Sequence, residues 1–158
     1  MNKRFSHMQD GKTKMVDVSG KKKSGRIAIA VAKVIFSKES FNNLSRNKTN
    51  KEQILSTARL AGIQASKITS HLIPLCHNLS LDFVDVEFDL DKKNNTVNIT
   101  SQSKTSERTG VEMEAMVCVT CAALTIYDMC KSIDKKIEIS NIKLKYKSGG
   151  KSGIFKND

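Results

Sequence analysis

Tryptophan is missing from this 158-residue chain, proline occurs once, and aromatic residues make up only 5% of it. That scarcity argues against a surface that stacks unpaired nucleic-acid bases on aromatic rings. A membrane span is also missing. The longest apolar stretch, between Glu114 and Asp128, holds thirteen uncharged residues, where about 20 are needed. The first 24 residues carry no apolar signal segment, so secretion is not expected and the cytoplasm is the expected compartment. Cys76, Cys118, Cys121 and Cys130 lie in apolar contexts and are expected to remain reduced thiols. Arginine is scarce too, five of 27 basic residues, so the positive charge rests on lysine.

What is present is a strongly basic chain with a formal net charge of +11. Such a charge suits a polyanionic partner, whether nucleic acid, a membrane surface or a phosphorylated small molecule, although solvated surface lysines account for part of it. The length suits one domain with its own core. Residues 1–25 have no sustained hydrophobic period and are read as a flexible basic arm. Residues 26–147 are read as a single α+β catalytic domain, and residues 148–158 as a flexible tail rich in Gly and Lys.

Ordered structure is expected from Arg26, where Ile27, Ile29, Val31 and Ile35 alternate with smaller residues as in a strand. Ser37 can cap a short helix running to Asn43 or Leu44, and Arg46 to Asn50 reads as a loop. A helix from Lys51 to Leu72 follows, with Ala58, Ala61, Gly62 and Ala65 allowing close approach of a neighbour. Pro74 ends it by pushing Ile73 out of helical geometry. Val84, Val86, Phe88 and Leu90 alternate with acidic residues, and the KKNN turn at Lys92 to Asn95 leads into TVNITSQSK, which predicts a hairpin. A long helix from Gly110 to Ile133 comes next. In the last strand Ile137 and Ile139 occupy odd positions but Ile142, Leu144 and Tyr146 even ones, so a bulge near Ser140 and Asn141 is needed to give one apolar face. The order βααββαβ predicts an α+β fold of ferredoxin-like type, an antiparallel sheet with its helices packed on one face.

Chemistry concentrates on the long helix. Glu114, Cys121 and Asp128 recur every seven residues and Lys131 lies three further on, so the four share one face. The apolar surroundings predict that the helix is buried, and a buried acid beside an amine can exchange protons with it. Arg26, Lys51, His77, Lys147 and Lys151 fall at element ends, where sites are built. Cys76, His77, Cys118 and Cys121 would make an acceptable tetrahedral zinc set. However, Cys118 and Cys121 sit inside an uninterrupted apolar helix, and no metal is expected. Gly150-Lys151-Ser152 looks like the end of a phosphate-binding loop, but Lys145 stands where that motif needs glycine and no helix follows. A basic ferredoxin-like RNA-binding module is the alternative reading, and it lacks the aromatic octapeptide.

Longer motifs point elsewhere. LIPLCH (Leu72 to His77), TGVEMEA (Thr109 to Ala115), AALTIYDMCK (Ala122 to Lys131) and KSGGKSG (Lys147 to Gly153) resemble the cyclic pyranopterin monophosphate synthase family, accessory proteins of molybdenum cofactor biosynthesis. MVDVS (Met15 to Ser19) and ARLAGIQASK (Ala58 to Lys67) fit the same family, so the likeness runs from Met15 to Phe155. It implies a lyase that rearranges a cyclised dihydroguanosine triphosphate into cyclic pyranopterin monophosphate and releases pyrophosphate. By resemblance Asp128 is the principal catalytic residue, Lys131 its acid/base partner and Lys51 a second catalytic lysine. Leu75, Cys76 and His77 contact the substrate, Met113 and Glu114 hold the guanine-derived ring with Glu112 in the same pocket, and Arg26 and Lys147 bind the triphosphate.

The resemblance also implies a homo-oligomer, a hexamer built as a trimer of dimers with active sites at subunit interfaces. It implies no cofactor, although magnesium can accompany the triphosphate, and neither a nucleic-acid nor a membrane partner. Two departures stand out: Asn78 where proline usually follows the histidine, and Arg108 where lysine is usual. Neither removes a predicted catalytic group. From Glu114 to Asp128 is about 21 Å along a helix, too far for one small substrate to touch both ends of one copy. The two ends are therefore expected to meet across a subunit interface.

Overall fold

The structure is a computed structural model that describes residues 5–150 and 153–157. Two short strands, β1 (Met8–Gln9) and β2 (Lys12–Thr13), pair as a small hairpin. The chain then forms β3 (Ser24–Ile35), α1 (Lys38–Arg46), α2 (Lys48–Lys67), α3 (Thr69–Leu72), β4 (Phe83–Asp91) and β5 (Thr96–Glu107). Helix α4 (Glu112–Cys130), β6 (Glu138–Ser148) and β7 (Phe155–Lys156) complete it. The last five strands make one antiparallel sheet in the order β4-β5-β3-β6-β7. Helices α2 and α4 lie side by side on one face of it, which is the expected ferredoxin-like α+β arrangement.

The central strand buries its small residues. Ala28, Ala30, Ala32 and Val34 are fully buried beneath the helices, whereas Ile27, Ile29 and Val31 point to the open face and are half-buried. Alanine at three successive inward positions lets α4 sit close on the sheet, and α4 answers with Ala115, Cys118, Ala122 and Ala123. Close approach continues between the helices: a Cβ on Gly62 would stand 2.9 Å from the Cys118 carbonyl oxygen. The small residues Ala58, Gly62 and Ala65 of α2 are buried as their spacing predicts.

Along β5 the inward residues change from Val97 and Ile99 to Ser101, Ser103 and Thr105, all buried. The hydroxyl of Ser101 donates to the Ala115 carbonyl at 2.8 Å and that of Thr105 to the Ser80 carbonyl at 2.5 Å. Pairing these two hydroxyls offsets the cost of burying them, whereas the buried Ser103 hydroxyl has no partner among the described residues. The core is thus apolar at one end of the sheet and polar at the other, the end where β5 hands the chain to α4.

Several local expectations need correction. Arg46 to Asn50 is not a loop, because Asn47 alone ends α1 through its backbone N–H and starts α2 by accepting from the Asn50 N–H. Asn serves both roles because its short side chain reaches the orphan amides of a helix start. The helix expected to run to Leu72 breaks at Ile68 (φ −114, ψ 19), just where Ser66 and Thr69 hydroxyls turn back onto the Ile63 and Ser66 carbonyls. Ile73 is extended before Pro74, as expected.

In β6 the predicted bulge is present. Val31 pairs with Lys143 but Lys33 with Ser140, and Asn141 has φ 53. A second irregularity at Lys145 puts Leu144 opposite Ala30 and Tyr146 opposite Ile29. Leu144 and Tyr146 therefore lie on opposite faces rather than one, because a single extra residue inverts the alternation.

The segment read as an arm contains the β1–β2 hairpin, and the segment read as a tail contributes β7, which pairs with Tyr146 and Lys147. Lys151 lies outside the described residues. The expectation that the whole long helix is buried fails at its far end, where Leu124 is 54% and Met129 39% exposed. Among the described residues α4 is the one helix long and apolar enough to cross a membrane, with a mean hydropathy of 1.4. It is instead packed along much of its length on α2 and the sheet.

Candidate active site

The extended Ile73, followed by a turn at Pro74 and Leu75 closed by the Cys76 N–H on the Ile73 carbonyl at 3.1 Å, carries the chain away from α3 so that Leu75, Cys76 and His77 face the first turn of α4. With Met113 and Glu114 they line a cavity of about 400 Å³, closed on another side by Ser6, His7 and Val16. A neighbouring cavity of about 870 Å³ is lined by Lys21, Lys22, Lys23, Arg26 and Gly150. Lys21, Thr109, Gly110 and Glu112 line both. The result is one site with two lobes, an acidic and sulfur-bearing lobe beside a cationic one.

Burial governs the first lobe. Glu114 is 4% exposed, and loss of water pushes its carboxyl up from the usual 4.5 to about 7. Its own backbone N–H works against the rise, and the nearby Glu112 charge adds to it. The Cys76 thiol is likewise raised, first by burial and then by Glu114. His77 donates from Nε2 to the Val16 carbonyl at 2.8 Å, since a carbonyl oxygen only accepts.

Fixed geometry governs the second lobe. Arg26 donates from Nε to the Glu107 carbonyl at 2.9 Å and from Nη2 to the Arg108 carbonyl at 3.0 Å. Position 108 contributes its backbone here, so arginine in place of lysine leaves this support intact. Lys147 donates to Glu112 at 2.9 Å, which ties the end of β6 to the start of α4. Between them, Gly149 and Gly150 have φ +91 and +76, and a Cβ on Gly150 would stand 2.3 Å from Arg26 Nη1. Only glycine lets the chain pass beneath that guanidinium in a left-handed conformation.

The opposite end of α4 is different. Asp128 and Lys131 form an ion pair at 2.5 Å, with side chains 69% and 56% exposed. That hydrogen bond and the Asp128 charge hold the Lys131 ammonium above its usual range. The dry acid–amine pair expected at this position is therefore a wet one within a single chain, because the last turns of α4 extend beyond what packs over them. Lys51 is half-buried near the start of α2. Its neighbours Asn50, Gln53 and Ile54 face Met129, Cys130 and Ile133 across a groove of about 400 Å³.

The structure thus brings Arg26, Leu75, Cys76, His77, Glu112, Met113 and Glu114 together, with Lys147 joined through Glu112. It leaves Lys51, Asp128 and Lys131 at the far end of the helix pair. Cys118 is buried with its thiol pushed up to about 12. Among the described residues no group of three or more His, Cys, Asp or Glu side chains is arranged to hold a metal ion. His7, Val16 and Lys21 escaped sequence reasoning. Three consecutive lysines just before Arg26 were the available signal for Lys21, while His7 and Val16 carried none.

Fold and cavity together define an α+β protein of ferredoxin-like type with a two-lobed pocket, one lobe lined by acids and a thiol and the other by cations. Residues 15–150 match the model of the MoaC family, and the chain belongs to that family. It is 49% identical over 155 residues to the cyclic pyranopterin monophosphate synthase of Bordetella avium, covering 98% of this chain and 96% of that one. The protein of the same name from Heliobacterium modesticaldum is 50% identical over 147 residues, 93% and 92% of the two chains. That of Thermoanaerobacter sp. is 44% identical over 150 residues, 95% of each. The RNA-binding alternative receives no support from these relatives.

Proposed function

We propose that this chain is a cyclic pyranopterin monophosphate synthase, a lyase that converts a cyclised dihydroguanosine triphosphate into cyclic pyranopterin monophosphate and pyrophosphate in molybdenum cofactor biosynthesis. The observation that carries the reading is the two-lobed cavity, which joins the Leu75–His77 loop and Met113–Glu114 to the cations of the phosphate lobe. The first lobe suits the ring. A carboxyl at Glu114 can accept the paired N–H groups of a guanine-type edge, with Met113 against its face and Leu75, Cys76 and His77 on the other side. The second lobe suits the triphosphate. Arg26 and Lys147 neutralise it, and fixed positive charge stabilises the departing pyrophosphate. Glu112 holds Lys147 in place.

Asp128 and Lys131 are assigned the proton transfers of ring opening and closure, with Lys51 as a second catalytic lysine. A copy of the chain that covers the exposed end of α4 would remove water from this ion pair and bring it to a ring held by its neighbour. Two features favour such a homo-oligomer, a hexamer of three dimers: the uncovered Leu124 and Met129 on α4, and the Ile27, Ile29 and Val31 side chains on the open face of the sheet. No resident cofactor takes part in this reading, with magnesium accompanying the triphosphate at most. The cytoplasm is the proposed location, with neither nucleic acid nor membrane as partner.

The direct test is to incubate the protein with the cyclised triphosphate and measure pyrophosphate and pyranopterin together. Equal amounts of both are expected. Pyrophosphate without pyranopterin would make the protein a hydrolase and overturn the reading.

A further inference from the structure

Between Phe5 and Lys22 the chain borders the ring lobe with little to hold it. Among the described residues one hydrogen bond ties this stretch to the rest of the domain, from His77 Nε2 to the Val16 carbonyl at 2.8 Å. Its tip is the β1–β2 hairpin, closed by the Lys14 N–H on the His7 carbonyl at 2.9 Å. His7 Nδ1 bonds the Lys14 carbonyl at 3.3 Å. Because that carbonyl only accepts, Nδ1 carries the proton, which leaves Nε2 as the nitrogen able to accept in that tautomer. Ser6 and His7 line the same cavity as Cys76, His77 and Glu114.

A guanine-derived ring presents more N–H donors than one carboxyl can take. Burial raises the Glu114 carboxyl to about 7, so part of its population is protonated at neutral pH, and His77 has committed Nε2 to Val16. A further acceptor on this side of the lobe meets the shortfall. We propose that the N-terminal segment is a cover for the ring lobe, latched by His77, and that His7 is a further substrate-contact residue accepting a hydrogen bond from the ring. The inference rests on the functional reading above, that the lobe holds a guanine-derived ring.

Guanosine triphosphate serves as a probe with both ring and phosphates, and tripolyphosphate as a probe with phosphates alone, each titrated into the full chain by calorimetry. His7→Ala is expected to weaken guanosine triphosphate about tenfold, the loss of one hydrogen bond, and to leave tripolyphosphate unchanged. His7→Gln, which keeps an acceptor, is expected to recover part of the loss. Trypsin cleavage at Lys12 and Lys14 is expected to slow when guanosine triphosphate is bound and to quicken in His77→Ala.

Unchanged nucleotide affinity in His7→Ala, or equal weakening of both probes, would overturn the role of His7. Cleavage indifferent to nucleotide would overturn the cover. Product formation by the unaltered chain is followed in parallel. If it makes product while His7→Ala binds normally, this inference alone fails. If it makes no product and binds no nucleotide, the functional reading fails with it.

Discussion

The two ends of α4 carry the same kinds of group in opposite settings. At the start, Glu114 lies beneath the Leu75–His77 loop and the N-terminal segment, and its carboxyl is pushed up to about 7. At the finish, Asp128 stands in water beside Lys131. Neither difference comes from the helix, which places acids on a similar face at both ends. What packs over a carboxyl decides whether it behaves as a buried acid or as half of a surface ion pair. On the proposed function, one chain holds a ring site already covered and a proton-transfer site still open, and the proposed assembly would complete the second with the first of a neighbour.

The largest effect should come from breaking the unfinished end. Asp128→Asn or Lys131→Ala is expected to lower product formation by about a thousandfold or more, within the range for loss of a general acid or base. The fold of the chain should be unaffected, as circular dichroism would check, because both side chains are exposed within it, and sizing would check that assembly persists. Mixing sharpens the comparison. Co-expressed Asp128→Asn and Glu114→Ala subunits, each expected to be inactive alone, should regain activity at roughly a quarter of the sites if every site takes one end from each of two copies. No regain would mean that both ends serve one copy.

Next in size is the finished end. Folding raises the Glu114 pKa from 4.5 to about 7, so the folded chain holds a proton that the unfolded chain releases in that interval. Stability from this group is full below about pH 4.5 and is lost as pH rises toward 7. At 1.36 kcal/mol per unit the loss is about 3 kcal/mol. Glu114→Gln removes the charge and should unfold later than the parent at pH 8, by about that amount, with the gap closing toward pH 4.5. Urea titrations at fixed protein concentration would measure it. A gap that did not change with pH would show that Glu114 is solvated in the assembled protein.

These two ends also differ in how readable they were. Pro74 announces the turn that presents Leu75 to His77, and the alternation of Val84 to Leu90 announces the hairpin, because both depend on neighbours in the chain. The wet setting of Asp128 was hidden, since apolar residues along a helix do not say whether the element that covers them belongs to the same chain. The same limit explains β3. Period-two alternation identifies two faces but not the covered one, and here the smaller residues Ala28, Ala30 and Ala32 face inward because α4 needs room. The His7 hairpin was hidden for another reason: it has no hydrophobic period and, among the described residues, its segment is attached by one hydrogen bond.

Smaller effects belong to the phosphate lobe. Lys147→Ala removes one charged hydrogen bond to the triphosphate and should raise KM about tenfold to a hundredfold with little change in kcat. An unchanged KM would remove Lys147 from the phosphate site and leave it as the partner of Glu112 alone.

The finest distinction lies between two adjacent glycines, and it separates binding from folding. At Gly150 an added Cβ would meet the end of the Arg26 side chain, 2.3 Å from Nη1, whereas at Gly149 it would meet the Gly25 carbonyl oxygen at 2.3 Å. A guanidinium can swing aside, but a backbone carbonyl inside a strand ladder cannot without breaking its pairing. Both positions also have positive φ, which costs alanine about 1 kcal/mol. Gly150→Ala should therefore fold and assemble while KM rises a few-fold, because Arg26 loses its seat over the phosphate lobe. Gly149→Ala should instead lower the melting temperature further, with KM close to normal in whatever protein remains folded. If Gly150→Ala left KM untouched, the fixed placement of Arg26 would not matter to substrate binding, and the phosphate lobe would be a field of mobile cations rather than a built site.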